Sequence, residues 1–193
     1  MAASSNTLFF LCAIFTFSLA SAQLKVKCPS GFTLVGEKCY RVSYEKANWF
    51  NADRKCYSLN STLLVFDDKK DMQLLTATLE VLGIPFANSW KDSIWTGLTS
   101  LGMGSAFVQN RDGSSVAYTP WSANQPQNLS GKDCVAYADY NGFGYHNIEC
   151  SLYEFPFVCR NLLGDVYWRD KDEERGAMSE ERGNLGPPAE PLK

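Results

Sequence analysis

Cysteine placement constrains this chain more than any other feature. Of its seven cysteines, Cys12 lies in the apolar run Leu8 to Leu19, which ends at Ala20-Ser21-Ala22, the small-x-small pattern cut by signal peptidase. The run is shorter than the ~20 apolar residues that span a bilayer. Residues 1–22 therefore read as a signal peptide, on the apolar run and the cleavage pattern alone, because no Lys or Arg precedes them. The mature chain then starts at Gln23, and with no second run of membrane length it is expected to be secreted and to have no membrane span. Six cysteines remain: Cys28, Cys39, Cys56, Cys134, Cys150 and Cys159. An even set in a secreted chain implies a disulfide framework, although six cysteines allow ~15 pairings.

Zinc is the competing reading of those thiols. It fails because the chain contains no C-x-x-C pair and one histidine. Charge divides the chain in two: residues 23–160 hold 13 Lys+Arg and 13 Asp+Glu, so the whole formal excess of -3 lies beyond Arg160. A neutral domain without a basic run has no electrostatic footprint for nucleic acid. Residues 161–193 carry eight acidic and five basic residues, four Gly and three Pro, and are expected to be a disordered tail because such a composition buries too little apolar surface to offset chain entropy. Val166-Tyr167-Trp168 is its one apolar cluster, suited to packing or to anchoring a partner.

From the first cysteine, Cys28 to Val42 reads as a hairpin around a Gly-containing turn, and a local Cys28–Cys39 bridge would staple it. Trp49, Ala52, Cys56 and Leu59 then fall at helical spacing behind Asn48 as N-cap. Thr62 to Phe66 is a short buried strand. A second helix starts at Asp68, with Asp71 in its first turn, an apolar stripe of Met72, Leu75, Leu79 and Leu82, and Gly83 as its stop. Beyond Pro85 the pattern is strand and loop. Strands are expected at Ser93–Leu98, Ala106–Val108 and Cys134–Tyr137, with two more ending at Cys150 and Cys159, and turns at Asn110–Gly113 and Asn141-Gly142. Long irregular stretches such as the one holding Trp121, Asn124 and Pro126 are uncommon in a compact domain unless they serve function or are disordered. The expected class is α+β, two helices flanking small antiparallel sheets with a long-loop region, one domain over residues 23–160.

Two segments draw attention as a recognition edge: the turn Gln125-Pro126-Gln127, expected to be cis at the proline, and the trio Tyr145-His146-Asn147 before Cys150. The two helices, Trp95-Thr96-Gly97-Leu98, the Asp112-Gly113 turn, Trp121 ahead of the Gln-Pro turn, Cys134-Val135 and Pro156-Phe157-Val158-Cys159 resemble, in order and spacing, a C-type lectin-like domain from Cys28 to Cys159. The resemblance is to the long form with an extra N-terminal hairpin. It implies the pairings Cys28–Cys39, Cys56–Cys159 and Cys134–Cys150. It also implies a sugar-binding edge, in which the calcium-dependent members hold one ion with five side chains, several of them carboxylates.

Those positions differ here. The family's Glu-Pro-Asn or Gln-Pro-Asp turn is Gln125-Pro126-Gln127, the Glu two residues before the cysteine is Lys132, and the Asn-Asp pair is His146 and Asn147, with Tyr145 in place of a Trp. No expected carboxylate remains and a cation replaces one, so neither a metal nor any other cofactor is expected; Asp133 is the neighbouring carboxylate that would keep calcium possible if it turned inward. The candidate ligand-binding residues are Gln125, Gln127, Lys132, His146 and Asn147, with Tyr145 as an apolar platform. Tyr140 and Phe143 are further surface candidates, while Tyr137, Trp49, Trp95 and Trp121 belong to core positions and Trp90 and Trp168 do not. Asn60-Ser61-Thr62 and Asn128-Leu129-Ser130 fit the N-glycosylation pattern.

With all six cysteines paired there is no free thiol nucleophile, and no G-x-S-x-G elbow or H-E-x-x-H helix occurs. An enzyme is therefore not expected, and His146 is placed on an exposed strand. The expected partner is an extracellular glycan or glycoprotein, bound without the usual calcium site. Two alternatives stand beside this: a calcium-dependent lectin with a degenerate site, and a structural or adhesive matrix protein acting partly through its tail.

Overall fold

The structure, a computed structural model, describes residues 27–161. The leader, the tail with Val166-Tyr167-Trp168, and the boundary placed at Gln23 lie outside the described residues. The chain begins with the expected hairpin, β1 (Thr33–Val35) and β2 (Lys38–Ala47). Helix α1 (Trp49–Tyr57) starts where Asn48 caps it, the Asn51 N–H donating to the Asn48 side chain at 3.0 Å. After β3 (Ser61–Leu63), helix α2 (Lys69–Val81) is capped in the same way by Asp68, which accepts from the Asp71 N–H at 2.8 Å. Gly83 ends it at φ 82°, a left-handed conformation that costs glycine little. The stripe is shorter than its periodicity predicts, because Leu75 and Leu79 are buried whereas Leu82, at the C-cap, is exposed.

The remaining strands are β4 (Ile94–Thr99), β5 (Val108–Gln109), β6 (Cys134–Asp139), β7 (Phe143–Ile148) and β8 (Phe155–Asn161). They join β1–β3 in one eight-stranded sheet whose main path runs β1-β2-β8-β4-β6-β7, with β3 on β8 and β5 on β4. All pairings are antiparallel except β4–β8. The two expected helices are present, and the separate small sheets of the sequence reading are joined through the parallel β4–β8 contact.

Alternation along the strands explains why both helices pack. In β6, Val135 and Tyr137 point into a core shared with Leu75 and Leu79 of α2, while Cys134 and Ala136 enter a second core shared with Trp49, Ala52 and Cys56 of α1. Trp95 of β4 joins the α1 side and Leu98 the α2 side. A sheet covered on both faces buries its strands completely, as in β4, where the two polar residues, Thr96 and Thr99, donate their hydroxyls to the Val135 and Asp133 carbonyls, each at 2.8 Å. Both core indoles are hydrogen-bonded, Trp49 to the Thr96 carbonyl at 2.8 Å and Trp95 to the Ala47 carbonyl at 2.7 Å. Gly97 lets two backbones meet: a Cβ there would stand 2.8 Å from the Leu63 carbonyl oxygen.

Three disulfides, Cys28–Cys39, Cys56–Cys159 and Cys134–Cys150, match the pairing that the resemblance implied. The second ties α1 to β8, and the third ties β6 to the segment that follows β7.

Candidate ligand-binding site

The site is built on β7 and on the long loop that returns to it. A bare edge strand would expose unpaired N–H and C=O groups. Here the loop covers them: the Tyr145 N–H donates to the Pro120 carbonyl at 2.7 Å and the Ser122 N–H to the Tyr145 carbonyl at 2.9 Å. Gly144 permits this approach, since a Cβ at that position would lie 2.5 Å from Ser122 Oγ and 2.8 Å from its nitrogen.

Burial corrects three placements. Tyr145, read as an exposed platform, is 0% exposed; its ring stacks on Phe66 and meets Trp121 edge-on, and its hydroxyl accepts the Phe66 N–H at 3.2 Å. His146, read as lying on an exposed strand, is 6% exposed, with Nε2 3.3 Å from Ser93 Oγ. Because the Ser93 hydroxyl donates to the Trp90 carbonyl, His146 Nε2–H is the donor of that pair. Burial, and then the charge of Lys132, lower the His146 pKa to about 4. Phe143 is likewise half-buried, stacked on Tyr137 and edge-on to Phe86, whereas Tyr140 is 46% exposed. Tyr137 is core, as expected, and its hydroxyl shares a 2.6 Å hydrogen bond with Thr76.

Asn147, 4% exposed, positions the loop. Its Oδ1 accepts the Gln127 N–H at 2.6 Å, and its amide donates to the carbonyls of Gln127 at 2.7 Å and Lys132 at 2.9 Å. Its own backbone N–H donates to Gln125 Oε1 at 3.3 Å. One buried amide thus ties the Gln125-Pro126-Gln127 turn, whose Gln125–Pro126 peptide is cis, to β7 and to the start of β6. Both donors of that amide are committed, so Asn147 holds the surface and does not itself offer N–H groups to a ligand.

What faces outward is Gln125, Gln127 and Lys132. The Lys132 ammonium donates to Gln127 Oε1 at 2.7 Å. The neighbouring carboxylate, Asp133, accepts from Ser100 Oγ at 3.0 Å, and its backbone carbonyl accepts from the Ser100 N–H and the Thr99 hydroxyl, each at 2.8 Å. Among the described residues no three His, Cys, Asp or Glu side chains gather where a metal ion could sit.

Two clefts open beside the turn. One, about 420 Å³, lies between Ser100–Phe107 and Asn128–Asp133. The other, about 250 Å³, gathers Gln125, Gln127, Lys132 and His146 with Trp90, Tyr140 and Tyr153, and Glu149 also lines it. Tyr153 and Glu149 were missed as site residues in the sequence, and Trp90 was noted there only as outside the core positions. Glu149 adjoins Cys150 directly, which was the one available cue. Both sequon asparagines are exposed, Asn128 on the rim of the larger cleft and Asn60 at φ 52° behind α1.

Known proteins resemble this arrangement along most of the described chain. The profile of the Lectin C-type domain matches residues 45–161. The Perlucin-like protein of Mytilus galloprovincialis is 22% identical over 79% of this chain and 97% of its own length. C-type lectin 37Db of Drosophila melanogaster is 28% identical over 65% of this chain and 79% of its own. Among solved structures, the mouse scavenger receptor C-type lectin carbohydrate-recognition domain superposes with a TM-score of 0.57 at 28% identity, covering 69% of this chain and 94% of that domain. Fold, disulfides and profile agree, and the chain belongs to the C-type lectin domain family.

Proposed function

We propose that this chain is an extracellular, non-catalytic recognition module that binds a glycan or glycoprotein without calcium. The family assignment makes ligand recognition the general role, and three disulfides suit an oxidising compartment. No helix among the described residues is long and apolar enough to cross a membrane.

One observation carries the calcium-free reading: the Lys132 ammonium sits on Gln127 Oε1 at 2.7 Å. Calcium takes six to eight oxygen ligands and favours carboxylates. At Gln125, Gln127 and Asn147 the available side-chain oxygens are neutral amides, two of them already accepting N–H groups from within the turn and β7. Of the two carboxylates beside these amides, Asp133 is held by Ser100 and Glu149 stands alone in the smaller cleft with Lys132, so no group of carboxylates forms there. A fixed ammonium repels a divalent ion and supplies the organising positive charge itself. These residues do not fit a calcium ion; they fit a turn held by Lys132 and Asn147.

A glycan array probed with the secreted chain tests the reading. Binding is expected to be unchanged by a chelator. Loss of every signal on chelation would refute it.

A further inference from the structure

We infer that the smaller cleft selects an acidic sugar, one bearing a carboxylate or a sulfate; the inference rests on the glycan-recognition reading and names its substrate class. Gln125 Oε1 faces a backbone N–H and Gln127 Oε1 faces an ammonium, which orients both amides and leaves their NH2 groups as the ends open to a ligand. Lys132 commits one of its three N–H bonds to Gln127 and makes no ion pair among the described residues. One wall of the cleft is therefore made of donors around a half-buried cation.

An oxyanion satisfies that wall better than a hydroxyl, because charge-assisted hydrogen bonds are roughly twice as strong as neutral ones. Trp90, Tyr140 and Tyr153 line the same cleft and supply aromatic surface for the apolar side of a pyranose. Lys91, whose ammonium lies 5.7 Å from the Trp90 ring centroid, adds a second positive charge beside Trp90. Glu149 is the one carboxylate lining the cleft, and it is placed to accept from a sugar hydroxyl. At about 250 Å³ the cleft is smaller than the ~300–1,000 Å³ of drug-sized pockets, so it takes a single ring of a longer chain.

The test titrates the full secreted chain, in chelator and at low salt, with methyl glucoside, methyl glucuronide and glucose 6-sulfate. The two acids are expected to bind roughly ten-fold tighter than the neutral sugar, equivalent to about 1.4 kcal/mol. Raising the salt should shrink that advantage. Lys132→Gln, checked for an unchanged melting temperature, should erase it, and Lys132→Arg should retain it. A preference for the glucuronide alone or the sulfate alone identifies which anion is selected. Equal binding of acid and neutral sugars, or a preference that survives Lys132→Gln, overturns the inference and leaves glycan recognition standing. If none of the three binds, the inference also falls, and the array then judges the recognition reading independently.

Discussion

Replacing Cys56 and Cys159 together by alanine is expected to remove more stability than any other paired substitution at a disulfide. The bridge closes a loop with a sequence separation of 103 residues, against 16 for Cys134–Cys150 and 11 for Cys28–Cys39. The chain-entropy relation converts those separations to about 4.7, 3.1 and 2.8 kcal/mol. Against the ~5–15 kcal/mol that holds a typical domain folded, the first loss leaves a marginal protein. The change also deletes two buried sulfurs between α1 and β8, in the core that contains Trp95 and Phe157. Urea unfolding of the three double variants checks the order. A Cys28/Cys39 variant as damaged as the Cys56/Cys159 variant would show that unfolded-chain entropy does not rank the bridges.

The second large effect is on pH. His146 is held neutral by burial and by the neighbouring Lys132 charge, with its pKa lowered from 6.5 to about 4. Below pH 6.5 the unfolded chain binds a proton there that the folded chain refuses, so stability falls as pH drops from about 6.5 to 4. The full window corresponds to about 3 kcal/mol. Asp67 acts with the opposite shift: burial raises its pKa, but hydrogen bonds and charge from Arg160 and Lys38 outweigh this and hold it below the ordinary value. Its contribution is complete above the unfolded-chain value and is lost only as pH falls through the depressed folded value, below the histidine window. Denaturation midpoints for the wild type and His146→Gln at pH 7 and 4.5 isolate the histidine, because the carboxylates, Asp53 included, are common to both. The wild type should lose stability on acidification and the variant much less. Parallel losses in the two proteins would remove His146 as the cause.

The sequence makes the scaffold legible because its signals are local. Asn48 and Asp68 announce helix starts through their own side chains, Gly83 announces a stop, and the Trp49-Ala52-Cys56 spacing faces one core. The site is less legible because its key contacts are not local. Tyr145, His146 and Asn147 look like a polar-edged strand end, yet each is buried by a different distant segment: Tyr145 under the loop at 120–122, His146 against Ser93, and Asn147 beneath the Gln125–Gln127 turn. The cue was Gly144, a lone glycine in a strand, which marks close backbone approach. Trp90, Tyr140 and Tyr153 come from three separate segments, and no spacing rule brings them to one cleft. Lys132 is the exception, since a cation at that position is visible in the sequence itself and the structure places it on Gln127 Oε1.

Calcium titration of the full chain separates a turn held by lysine from one held by a metal. An ion bound with a dissociation constant near 1 mM would, at 10 mM, stabilise the fold by about 1.4 kcal/mol and raise its melting temperature. The account, in which Lys132 holds the Gln125–Gln127 turn in place of a metal, predicts neither heat in calorimetry nor a shift in melting temperature. A saturable calcium isotherm with a higher melting temperature, both abolished by Asp133→Asn or Asn147→Ala, would contradict it.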